Sequence, residues 1–215
     1  HGLVADSPWL EDPGAVDTTA LKRDSTRRLA NPNNLSEAEG GSLRPRGAGK
    51  EVTQAQGGVA FRHDLTGGGS IEATGFLLRR TLKNPIAATY IEIARWAYGS
   101  RATVTLPGAI GQLPHVFTAG VDAQWMRDDR QNYTPNRPTV PPPPADDSLT
   151  RDQVERVTEV GPFIQSQLGL GGLASLTVGA RYDRVTFRVA DAFQSDGDDS
   201  GERVMAARSG SAGVV

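Results

Sequence analysis

From Val52 onward, apolar and polar residues alternate with a period of two through most of the chain, and the longest such pattern runs from Val157 to Asp191. In its first half Val160, Pro162, Ile164 and Leu168 share one face, and Glu159, Gly161, Gln165 and Gln167 share the other. In its second half Leu176, Val178, Ala180 and Tyr182 alternate with Ser175, Thr177, Gly179, Arg181 and Asp183. Successive side chains of a strand point to opposite faces, so the pattern predicts two strands joined by a glycine turn near 169–173, each apolar on one side only. Each run is about as long as the ~9–11 residues with which a tilted strand crosses a bilayer, and a membrane hairpin is the expectation to test.

The same alternation appears upstream. Val59, Phe61 and Leu65 oppose Arg62 and Asp64 in a strand predicted over 52–65, and Thr66-Gly67-Gly68-Gly69 supplies a tight turn. Ile71, Ala73, Gly75 and Leu77 oppose Glu72 and Thr74, with Phe76 an exception on the polar side, and the following RRTLKNP reads as a modest loop. Ala94, Trp96, Tyr98, Ala102, Val104 and Leu106 then face Arg95, Gly99, Arg101, Thr103 and Thr105, and a turn is predicted from Pro107 to Pro114. In the regular run HVFTAGVDAQWMRDD, Phe117, Ala119, Val121, Ala123 and Trp125 oppose Thr118, Gly120, Asp122 and Gln124. Its two aromatics are separated by roughly 20 Å along the axis of a barrel with inclined strands, close to the spacing of the aromatic girdles that bound a membrane band of ~25 Å.

Connections alternate in length. Short ones (66–69, 107–114, about 169–173) interleave with mostly long ones (5–49, 131–153, 193–203), with 83–88 the short member of the second set. A transmembrane barrel has short periplasmic turns and long outer loops, whereas a soluble sandwich has no reason to keep its loops two-sided. The expectation is therefore an all-β fold of about seven antiparallel strands forming part of a transmembrane β-barrel. The competing reading is a soluble β-rich sheet packed on a core, such as a carbohydrate-binding module, with Trp96 and Trp125 inside it.

Composition narrows the function classes. No run of ~18 apolar residues offers a membrane helix. A net charge of −2 with scattered arginines gives no basic surface for nucleic acid. There is no cysteine, and His1, His63 and His115 stand at no metal-ligand spacing. No serine or cysteine nucleophile is paired with a histidine, so no catalytic, cofactor-binding or metal site is expected and the chain is not read as an enzyme. His63 and His115 are placed instead at the membrane boundary. Asp196-Gly197-Asp198-Asp199-Ser200-Gly201 resembles the start of a calcium loop, but its twelfth position is Ala207 rather than glutamate, and a solvated outer loop is preferred. Pro141 to Pro144 reads as a stiff polyproline II segment. A helical turn is possible around Ser36 to Glu39.

On the inward face, Gly99, Gly120 and Gly179 are expected to make room for neighbouring side chains or for strand curvature, with clearance for a domain plugging the lumen as the alternative. Arg95, Arg101, Glu159, Arg181 and Asp183 are expected to line a wet lumen and to form ion pairs with such a domain. After Tyr182 the apolar phase flips to Val185, Phe187 and Val189. A bulge or a strand leaving the membrane would each explain this; the second is preferred, with Arg184 to Asp191 as an extracellular extension and the first place to seek ligand contact. No individual substrate-binding residue is singled out.

The ordered set HVFTAGVDAQWMRDDRQNY, VTEVGPFIQSQ, and LTVGARYDRVTFRVAD with the following DGDDSGERV resembles the barrel of TonB-dependent outer-membrane receptors. VTQAQGGVAFRHDLTGGGSIEATGFLLRRTLKNPI is similar to their earlier strands. The resemblance implies a barrel of roughly 22 strands, a plug domain that meets the TonB complex, a Gram-negative outer membrane, and uptake of a ferric siderophore or another scarce solute such as vitamin B12, haem or carbohydrate. It implies no reaction and no cofactor. The chain, beginning at His1 and ending at Val215 in a strand-like run, is expected to be a fragment of that barrel over 1–215, without plug or closing strands. A passive porin-like barrel is the alternative within membrane proteins.

Overall fold

The structure is a computed structural model that describes residues 1–11, 49–86, 89–134, 149–171 and 173–215. The described residues form one sheet of eight strands in sequence order, every neighbouring pair antiparallel. The strands are β1 (Gly2–Glu11), β2 (Gly49–Asp64), β3 (Ser70–Ile86), β4 (Thr89–Ile110), β5 (Leu113–Tyr133), β6 (Leu149–Leu170), β7 (Ala174–Asp191) and β8 (Gly201–Val214). Eight are present where about seven were expected, because the polar stretch read as a loop from Ala5 includes a strand through Glu11.

The strands are long. β4 and β6 each have 22 residues, about twice what a bilayer crossing requires. RRTLKNP, read as a loop, lies within β3. The turn expected from Pro107 to Pro114 contracts to Gly111 and Gln112, with Gly111 at φ 64°, where the left-handed backbone suits glycine. The loop expected over 131–153 likewise loses Gln131 to Tyr133 to β5 and Leu149 to Gln153 to β6. Segments 79–85, 131–133 and 149–153 share a cause: polar residues interrupt both faces there, yet a strand above the membrane needs no apolar face, and the backbone ladder alone can carry it. Pro141 to Pro144 and Ser36 to Glu39 lie outside the described residues.

One end of the sheet carries the tight connections at 65–69, 111–112 and 171–173. The two faces differ in crowding. On the face of Arg101 and Arg181, Arg181 on β7 reaches across β6 to Asp122 on β5 at 2.6 Å, as happens on the inside of a curled sheet. The opposite face leaves large apolar side chains uncovered: Val59 is 78% exposed and Ile164 53%. Tyr90 is the sole buried hydrophobic side chain among the described residues. A soluble sheet would have covered that face with a second layer; a barrel wall presents it to lipid.

β7 decides the phase flip. Its pairing with β8 continues without a shift from Leu176–Val214 to Val189–Gly201, and the pairs Val160–Arg184 and Phe163–Arg181 hold one register with β6. There is no bulge. Val185, Phe187 and Val189 stay on the inward face of Arg181 and Asp183, while Arg184 and Arg188 continue the outward face of Val178 and Tyr182. The faces keep their direction and exchange chemistry, as expected of a strand that leaves hydrocarbon for water. The same exchange occurs in β5, where Arg127, Asp129 and Gln131 follow Trp125 outward.

Trp125 stacks on Tyr98 across the β4–β5 pair, ring centroids 5.2 Å apart, on the outward face just before this exchange. In bilayers, Trp125 fluorescence should be quenched several-fold more by bromines placed high on the acyl chains than by bromines at their ends. Insensitivity to both would put this face in a protein core instead.

Candidate functional site: the inward-facing charge cluster

Regular pairing places Arg101 (β4), Asp122 (β5), Gly161 (β6) and Asp183 (β7) side by side on the inward face. Arg101 binds Asp122 through both carboxylate oxygens, Nε donating at 2.6 Å and Nη2 at 2.9 Å. Arg181 donates from Nη1 to the same carboxylate at 2.6 Å and from Nε to Asp183 at 2.7 Å. Two guanidinium groups and two carboxylates thus form one neutral chain over four strands, with Asp122 only 8% exposed. Charge-assisted bonds of this kind are short and direct.

Glycines open the space for it. A Cβ on Gly161 would run into the Arg181 guanidinium and the Asp183 carboxylate. A Cβ on Gly120 would lie 2.5 Å from Phe163 Cζ and 2.7 Å from the Ala102 carbonyl oxygen. The Phe163 ring therefore fills the space over Gly120, and Arg101 and Arg181 each stand 5.9 Å from its ring centroid. Gly99 does the same for Phe76, which explains an aromatic at a polar position of β3: a Cβ there would be 2.7 Å from its ring. Beside Gly179 the nearest atom is Ser211 Oγ, at 3.0 Å.

A second pair lies nearer the loop end. Arg95 donates to both oxygens of Asp128, at 2.7 and 2.6 Å, and Asp128 is 2% exposed. Beyond it, Arg130 meets Glu155 at 3.2 Å. Of the five inward charges anticipated, Arg95, Arg101, Arg181 and Asp183 are paired within the wall itself. Glu159 is inward with no ion pair among the described residues. Alternation alone does not reveal Asp122 and Asp128 as the partners of these arginines, nor Phe163 beside them. Asp122 stood on the right face, but which arginines it meets depends on register, which alternation alone does not set.

Neither histidine joins this cluster. His115 Nε2 lies 2.7 Å from Ser166 Oγ, and His63 stacks near Phe61, both toward the tight-turn end. At the 192–200 connection the Phe193 and Asp199 amides donate to Asp191, the last residue of β7, and the Ser200 amide donates to Asp198. The Ser200 side chain, and after it the Ser200 amide, hold the Asp198 carboxyl below its ordinary range. Gly201 to Val214 is strand, so Ala207 closes no calcium loop. Among the described residues no cluster of histidine or carboxylate side chains is arranged to hold a metal. The wall leaves a shallow concavity of about 370 Å³ beside Arg101, Phe163, Gln165, Arg181 and Ser209.

Residues 5–215 match the family described as TonB dependent receptor-like, beta-barrel. The chain belongs to this family. Its fold is also that of solved receptors. It is similar to the ferric citrate transporter FecA in unliganded form, with a TM-score of 0.72 at 14% identity over 94% of this chain and 28% of that one. It is similar to the siderophore receptor PiuA from Acinetobacter baumannii, with a TM-score of 0.60 at 12% identity over 78% of this chain and 30% of that one. The ferric-catecholate import receptor Fiu from E. coli K12, in its closed form, gives 0.50 at 12% identity, again over 78% and 30%. The chain thus spans under a third of the length of these receptors. TonB-dependent receptors are outer-membrane transport proteins rather than enzymes.

Proposed function

We propose that this chain is a section of the barrel wall of an outer-membrane receptor that takes up a scarce solute, a ferric siderophore, with energy delivered through the TonB complex. The observation that carries this reading is family membership across residues 5–215. Three relatives in fold are named for iron chelates: ferric citrate, a siderophore and a ferric catecholate. The complete barrel would contain roughly 22 strands, of which these eight are consecutive members, and a plug domain would occupy the lumen and meet TonB. No residue of this chain would carry out a reaction or hold a cofactor.

Solute would be met above the membrane. There the inward face of β7 carries Val185, Phe187 and Val189, and the neighbouring strands contribute Arg130 and Glu155. An apolar wall edged by charge suits a chelate with an organic shell.

The test is uptake of radiolabelled ferric chelates by iron-starved cells with and without the gene that encodes this chain, each in the presence and absence of TonB. The expected result is at least a ten-fold fall in uptake of one chelate class on deleting either. Uptake that needs the gene but not TonB would identify a passive pore. Unchanged uptake of every ferric complex would overturn the iron assignment and move the search to other scarce solutes.

A further inference from the structure

One strand of the wall contains a residue that its ladder cannot accommodate. Pro162 lies inside β6, which is paired on both sides, whereas proline in sheets is otherwise confined to edges, strand starts and bulges. The effect falls on one side only. Toward β5 the pairs Asp122–Gly161 and Val121–Pro162 are in place, but toward β7 pairing stops at Val160–Arg184 and resumes, in the same register, at Phe163–Arg181.

Alternate residues of a strand direct their amides to opposite neighbours. In the β6–β7 register the Ala192 amide donates to the Asp152 carbonyl, and Pro162 lies an even number of residues further along β6, so it belongs to the set that faces β7. The Tyr182 carbonyl oxygen opposite it therefore receives no ladder donor. Beside the apolar belt, water that would replace that donor is scarce. A concavity of about 530 Å³ lies against the break, bounded by Pro162, Ile164, Ala180 and Tyr182, and leaves the backbone room to move.

A side chain spans the break. Gly161 leaves its inward side empty, and the Arg181 guanidinium and Asp183 carboxylate occupy the space where a Cβ would stand. From there Arg181, on β7, reaches over β6 to Asp122 on β5 at 2.6 Å and holds Asp183 on its own strand at 2.7 Å. Charge balance alone would be met by two separate pairs, Arg101 with Asp122 and Arg181 with Asp183. The crossing bond adds a mechanical tie, from β7 to β5, over the residues whose own pairing is missing.

We propose that residues 161–163 of β6 and 181–183 of β7 form a yielding seam in the wall, strapped shut by the bond from Arg181 to Asp122. Release of the strap lets the two strands part locally and widens the lumen at the height of the charge cluster. Local opening of this kind needs no solute, so its measurement stands apart from the transport reading.

The experiment is hydrogen–deuterium exchange of the full receptor in detergent micelles, read by mass spectrometry in peptides spanning 180–184 of β7 and 119–123 of β5, which stand at the same height in the wall. The expected result is exchange at least ten-fold faster at 180–184. Pro162→Val, which restores the missing donor, should slow that peptide about ten-fold and leave 119–123 unchanged. Arg181→Gln, which removes the strap, should speed it several-fold. Equal protection of the two peptides in the wild type would overturn the proposal, and so would exchange at 180–184 that either variant leaves unchanged. If Arg181→Gln does not reach the folded, heat-modifiable form, Arg181→Lys, whose single ammonium lacks the planar fork that holds both carboxylates, should speed 180–184 at least two-fold; unchanged exchange there would also reject the proposal.

Discussion

Replacing Asp122 with alanine should destabilise the folded barrel by about 2–3 kcal/mol, read as a lower urea midpoint of tryptophan fluorescence for the full receptor in detergent micelles. Breaking a buried ion pair from one side costs about 3–5 kcal/mol, because the remaining charge is stranded. Here Arg101 loses its carboxylate partner and Arg181 is left with Asp183, while the group that holds the two together is gone. The cost is reduced because the Arg101 side chain is 59% exposed and rehydrates. Asp183→Asn should cost about 1 kcal/mol or less, since Asp183 meets Arg181 alone and Arg181 keeps Asp122. Equal midpoints for wild type and Asp122→Ala would show that the lumen is too wet for the cluster to matter. The contrast between the two variants is the sharper reading, because it separates loss of the shared acceptor from loss of any one carboxylate.

Gly120→Leu should be about as damaging, near 3 kcal/mol, by a steric route. A side chain there meets two obstacles. The Phe163 ring can turn away, but the Ala102 carbonyl oxygen belongs to the hydrogen-bonded ladder and cannot. Overpacking of this kind costs about 1–3 kcal/mol, and displacing Phe163 also forfeits its contacts with Arg101 and Arg181, each about 0.5–1 kcal/mol at a partly exposed site. Adding Phe163→Leu should recover only part of the loss, because the carbonyl remains. Gly108→Leu is the control: a Cβ there meets nothing within 4 Å, and the midpoint should not move. A Gly120→Leu protein as stable as wild type would mean that the sheet flexes enough at β5 to admit the side chain, and the close packing of Phe163 on Gly120 would lose its significance.

The two variants probe features of unequal visibility in the sequence. Gly120 and Gly99 could be assigned inward from alternation alone, and room for a neighbour was the expected role. Which neighbour fills each gap was invisible, because Phe163 and Phe76 come from adjacent strands whose register the pattern does not fix. Asp122 was similarly placed on the right face without its partners. Strand ends fared worst. Arg79 to Ile86 and Ala5 to Glu11 are strand although polar residues interrupt both their faces, since above the membrane nothing requires one face to be apolar.

What the sequence by itself determined is the period of two, the one-sided apolar belt between aromatic ends, and the alternation of short and long connections. Together these define an antiparallel membrane sheet and point to a family. Each is a property of a strand and its own neighbours in the chain, fixed by the need to face lipid on one side and water on the other. Only the tertiary structure decided what stands beside what. Unbroken register through Tyr182 turned an ambiguous phase flip into a strand leaving the membrane. The same register gathered Arg101, Asp122, Arg181 and Asp183 into one neutral cluster inside and lined up Arg127, Arg156 and Arg188 outside. The residues in each set are distant in sequence, and their meeting is set by backbone pairing between strands rather than by any local pattern.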